Sequence, residues 1–139
     1  LGEEGKGFRV AMMALDGGRI GIAALAAGVA TAALEAAVAY AKERKTFGKP
    51  LIEHQAVGWM LADSAMEVEA ARNLTLRAAW LKESKRSFTR EASHAKLWAS
   101  ERGFQVCNRA IQVLGGFGYT KDFPVERYLR DIRVTSIYE

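Results

Sequence analysis

The chain has 139 residues and a formal net charge of +4, with half its residues apolar and 26% charged. That is the make-up of one globular domain with a real core. The basic residues are scattered, with no basic stripe interleaved with aromatics, which argues against nucleic-acid binding. Cys107 is the only cysteine, so an internal disulfide is excluded and a reducing compartment is expected. His54 and His94 lie far apart with no ligand-like cluster around them, so no metal site is expected.

Abundant alanine and only two prolines, Pro50 and Pro124, favour long helices. Leu1 to Lys6 reads as a linker, and Asp16 offers an N-cap oxygen for a first long helix. Ile22, Leu25, Val29, Ala33, Ala36 and Tyr40 recur at helical spacing within it. The uncharged run from Ile20 to Leu34 is 15 residues, whereas a membrane span needs roughly 18 to 20 apolar ones. The run is rich in Ala and Gly, which suits a helix packed closely on several sides.

Gly48-Lys49-Pro50 ends that helix. A second is expected from about Glu53 to Lys82, burying Val57, Leu61, Ala65, Val68, Ala71 and Leu74. After a polar turn over residues 83–87, a third runs from about Arg90 to Leu114. Its seam is Ala92, Ala95, Ala99, Gly103, Val106, Ala110 and Val113. Gly115-Gly116 terminates it. A short fourth helix follows Pro124 and ends around Arg133. No strand pattern is present. Long helices with short connections predict an all-α, antiparallel four-helix bundle.

Four constellations stand out. Arg44-Lys45-Thr46-Phe47-Gly48-Lys49-Pro50, with Gln55 beyond it, joins an arginine suited to phosphate oxygens to an aromatic ring and a glycine. It also reads as a charged helix end with a glycine stop. Gln112, Val113, Leu114, Gly115 and Gly116, continuing to Gly118, free backbone amides to face an anion. The same glycines also read as a helix cap and a turn. Asp16-Gly17-Gly18-Arg19 is a helix cap or a polar binding segment. Glu139, behind Ile137 and Tyr138, is an exposed terminal residue or, in a closed apolar pocket, a general base.

In this order and spacing the four motifs resemble the C-terminal domain of the acyl-CoA dehydrogenases, from about Gly7 to Glu139. The short- and medium-chain members both match. The resemblance implies a linker from a missing preceding domain over residues 1–7. Residues 8–139 would then be the helical bundle, with its last helix missing. It implies FAD as cofactor. Arg44 would lie on the pyrophosphate of a neighbouring subunit's FAD, joined by Thr46, Phe47 and Gln55. Gln112, Val113, Leu114, Gly115 and Gly116 would contact the same flavin. Asp16, Gly17, Gly18 and Arg19 would help hold the CoA part of the substrate. Arg130-Asp131 and Ile137-Tyr138 resemble the approach to the catalytic base, which would be Glu139.

The implied reaction is α,β-dehydrogenation of an acyl-CoA thioester, with Glu139 removing the α-proton and hydride passing to FAD. Some branched-chain and long-chain members carry the base immediately before the arginine of the first helix. Here that position is Gly18, which leaves Glu139. Electron-transfer flavoprotein is the expected acceptor and a homo-oligomer the expected assembly. The expected place is a bacterial cytoplasm or, alternatively, a mitochondrial matrix. Rival readings are a non-catalytic bundle that serves oligomerisation and an acyl-CoA oxidase.

Overall fold

The computed structural model describes residues 2–138. Three long helices carry the fold: α1 (Gly7–Glu43), α2 (Gln55–Glu83) and α3 (Thr89–Leu114). Two short ones follow, α4 (Gly116–Tyr119) and α5 (Val125–Arg133). α1 and α3 run side by side in the same direction: Asp16 meets Thr89 at one end, and Ala26 and Ala30 meet Gly103 further along. α2 returns antiparallel to both, and α5 lies across α1 and α3. The chain is all-α, as expected, built on three long helices and two short ones.

Every buried residue of α1 is an alanine: Ala23, Ala26, Ala27, Ala30, Ala33, Ala37 and Ala41. Side chains this small let neighbouring backbones approach, and the volume is filled from the other side by Val106, Leu114, Val125 and Ile132. Gly103 marks a close approach. A Cβ there would stand 2.7 Å from Ile132 Cδ1 and 3.4 Å from the Ala26 carbonyl oxygen. By length and composition α1 could cross a membrane; its alanine stripe is instead buried in the bundle.

The expected seam of α3 is buried throughout. Other expectations shift. Asp16 is not an N-cap, because α1 begins nine residues earlier at Gly7 with no side-chain cap. Leu25 is half exposed, since the small residues, not the large ones, face the neighbours. Ala65 is exposed, and α2 buries Ser64, Glu67 and Thr75 in its stripe beside Leu61, Ala71, Ala78 and Leu81. Thr75 satisfies its hydroxyl on the Ala71 carbonyl at 2.8 Å. Glu67 meets Arg109 of α3 at 2.5 Å and Arg102 at 3.7 Å. Trp98 Nε1 donates to the Glu67 carbonyl at 3.3 Å. A buried carboxylate thus acquires the partners that its desolvation demands.

A strand pair does occur where none was expected: β1 (Lys45–Thr46) pairs antiparallel with β2 (Lys49–Pro50). It carries the first candidate segment.

Candidate functional site

Phe47 and Gly48 form the two-residue loop of this hairpin with φ of +51° and +83°. Positive φ at both central positions is the mark of the type I′ turn that fits strand twist. Glycine adopts it freely. A bulky aromatic there costs on the order of 1–3 kcal/mol, and the Phe47 side chain is 98% exposed, with the His54 ring 6.3 Å away as its one aromatic neighbour among the described residues. Such an arrangement holds a ring out toward something else. His54 anchors the hairpin from behind, its Nε2 lying 3.2 Å from both the Thr46 hydroxyl and the Thr46 carbonyl oxygen. A carbonyl only accepts, so the contact requires the proton on Nε2.

The hairpin stands beside the end of α3. Arg44 and Thr46 share an open cavity of about 600 Å³ with Val113, Leu114, Gly115 and Gly116. The two candidate segments, well apart in sequence, therefore meet. Gly115 caps α3 with φ +60°, and a Cβ at Gly115 or Gly116 would meet nothing within 4 Å. The backbone at this turn is open to a ligand. Arg44 supplies a cation at the rim, and the residues present fit the phosphate and flat-ring parts of a flavin dinucleotide.

Phe47, Gln55 and Gln112 are exposed and stand outside the cavity lining. Tyr40, Leu51, Phe117 and Thr120 line it instead, and none was among the candidates. Tyr40, Phe117 and Phe123 form a ring cluster, with Tyr40 and Phe123 edge-to-face at 5.4 Å. Together with Arg44 it walls an adjoining cavity of about 520 Å³. Phe117 sat within the glycine-rich run, a signal that the glycines overshadowed.

Asp16, Gly17, Gly18 and Arg19 lie in the N-terminal half of α1. Arg19 pairs with Asp16 at 2.9 Å, and both reach the first turn of α3 through Thr89 and Ser93. A Cβ at Gly17 would sit 3.1 Å from Lys82 Nζ. From Arg19 to Arg44 the helical rise alone amounts to ~37 Å. The structure thus brings residues 44–46 and 113–116 together and sets residues 16–19 far from them.

On α5, Arg130 holds Glu126 in a two-pronged grip at 3.0 and 3.3 Å. That hydrogen bonding keeps the Glu126 carboxyl below its usual range. Asp131 stands 4.0 Å from Arg127. Ile137 is exposed and Tyr138 partly so. Glu139 lies outside the described residues.

This chain matches the family described as acyl-CoA dehydrogenase, C-terminal domain, over residues 5–139. It is 55% identical along its whole length to a probable acyl-CoA dehydrogenase of Bacillus subtilis, of which it covers 37%. It is equally similar, at 55%, to the mitochondrial short-chain specific acyl-CoA dehydrogenase of Bos taurus, covering 34% of it. Among solved structures, butyryl-CoA dehydrogenase from Megasphaera elsdenii superposes with a TM-score of 0.97 at 52% identity, over 99% of this chain and 36% of that one. The CarC subunit of the caffeyl-CoA reductase-Etf complex of Acetobacterium woodii is 50% identical over the whole chain and is covered over 37% of its length. The chain belongs to the acyl-CoA dehydrogenase family. It spans about a third of the length of the curated relatives that it matches.

Proposed function

We propose that this chain is the helical-bundle part of an FAD-dependent acyl-CoA dehydrogenase that oxidises short acyl-CoA thioesters between Cα and Cβ. The observation that carries the reading is the joining of Arg44 and Thr46 with residues 113–116 around one cavity. FAD, when bound, supplies the hydride acceptor. Arg44 neutralises its pyrophosphate, the open Gly115-Gly116 backbone lets it approach, and Phe47 packs on it from the hairpin tip. Arg44 and Arg19 stand ~37 Å apart along one helix, a separation that favours each chain lending its flavin segment to a neighbour.

Glu139 is the base in this reading. The α-proton of a thioester is only weakly acidic, so the carboxylate must be made more basic than in water. A bound acyl chain does that by excluding solvent from it. Gly18, which has no side chain, offers no competing base.

A homo-oligomer follows from the shared site. The outward face of α2, where Trp59, Met66, Leu76 and Trp80 are exposed, supports it by presenting apolar surface for a second copy. Electron-transfer flavoprotein is the acceptor that the CarC relative's complex favours. Relatives from bacteria and from a mitochondrion both fit the reading. The test is Glu139→Gln in the flavin-loaded holoenzyme. Turnover of butyryl-CoA is expected to fall about 10²- to 10⁴-fold with flavin still bound, and near-normal turnover would overturn the assignment.

A further inference from the structure

The Asp16–Arg19 pair is not free to choose its geometry. An i,i+3 ion pair on a helix surface is worth only about 0.2–0.5 kcal/mol, too little to hold two flexible side chains still. Here each group is fixed from α3 as well. Asp16 divides its carboxylate: Oδ1 accepts from Arg19 Nη1 at 2.9 Å, and Oδ2 accepts from the Thr89 hydroxyl at 2.6 Å. Arg19 Nη1 also donates to the Ser93 hydroxyl oxygen at 3.3 Å. Ser93 in turn donates its proton to the Thr89 carbonyl at 2.9 Å. The ring runs from Thr89 to Asp16, Arg19, Ser93 and back to Thr89.

The direction of every bond is determined. Ser93 spends its hydrogen on a carbonyl, so it meets Arg19 only as an acceptor. Thr89 must donate, because the carboxylate can only accept. Both contacts of Arg19 use Nη1, and a guanidinium has five N–H donors in a rigid plane. Fixing one nitrogen therefore orients Nε and Nη2 without consuming them. The Arg19 side chain keeps 24% exposure, so it is not closed off from a ligand.

We infer that Thr89 and Ser93 are positioning residues that lock Arg19 for its grip on the substrate. The inference rests on the substrate role proposed above for residues 16–19. α3 thus contributes to both half-sites, orienting a substrate arginine with its first turn and opening its backbone to the flavin at its last.

The test is steady-state kinetics of the holoenzyme with butyryl-CoA, comparing wild type with Thr89→Val, Ser93→Ala and the double variant. Losing hydrogen bonds to charged groups is expected to raise KM about tenfold in the double variant. kcat, flavin content and thermal midpoint stay near wild type, and Thr89→Ser keeps the wild-type KM because its hydroxyl can donate. An unchanged KM in the double variant overturns the positioning role. So does a joint loss of kcat, flavin and thermal midpoint, the signature of a merely structural contact. A wild-type holoenzyme that turns over no acyl-CoA overturns the functional reading itself, and the substrate role of the ring with it.

Discussion

Phe47 and Cys107 are two side chains at opposite extremes of exposure, one nearly bare and one fully buried. The Phe47 ring is almost wholly solvent-exposed and its backbone sits at φ +51°. Removing the ring costs the folded chain little. Phe47→Ala is expected to change unfolding free energy by less than about 0.5 kcal/mol while the holoenzyme loses flavin on dilution. Urea titration and flavin absorbance after gel filtration check the two halves separately. Cys107 is the opposite case. Burial pushes its thiol from 9.0 up to about 12, so the folded chain keeps a proton that the unfolded chain releases. The neutral thiol's contribution is complete below pH 9 and is lost as pH rises from about 9 to 12. Cys107→Ala is expected to flatten that alkaline decline in a pH series of urea titrations.

The elements differ in how openly their sequences declare them. α3 reads correctly along its whole seam because its small and apolar residues lie on one face and its charges on the other. α1 is apolar nearly all round, so hydrophobic spacing cannot say which side is buried. Size decides instead: alanines admit the neighbouring helices and Leu25 faces outward. α2 hides its register because polar side chains belong to its buried stripe, and Glu67 looks like surface until Arg109 is placed across from it. The hairpin escaped because two-residue strands leave no alternation to read, although Phe47-Gly48 carried its turn. The Glu67–Arg109 pair can be tested as a unit. Glu67→Gln is expected to cost about 2 kcal/mol, less than a fully buried broken pair because Arg109 keeps some solvent contact. In denaturant titrations the double Glu67→Met, Arg109→Met variant is expected to recover part of that loss, giving a non-additive cycle.

In the whole molecule, the two candidate half-sites lie far apart along α1, and the sequence offered the candidate motifs without this separation. Spacing along a chain shows that residues share a helix but not which molecule completes the site. An Arg44→Ala variant and an Arg19→Ala variant are therefore expected to complement each other. Randomly reassociated mixtures should recover about a quarter of wild-type turnover, because half the dimers are mixed and each mixed dimer has one intact site. Recovery no greater than the sum of the two parents would mean that each chain completes its own site. The unbroken helix that separates the half-sites also sets their relative azimuth. One residue inserted between Ala27 and Ala33 would turn everything beyond it by ~100° and lengthen the rod by only ~1.5 Å. The Arg44 hairpin would then leave the last turn of α3 while still standing at nearly its original height. Indels in this stretch are constrained by angle and by length together: a seven-residue insertion restores the phase to within ~20° but carries the hairpin ~10 Å along the axis, past the end of α3.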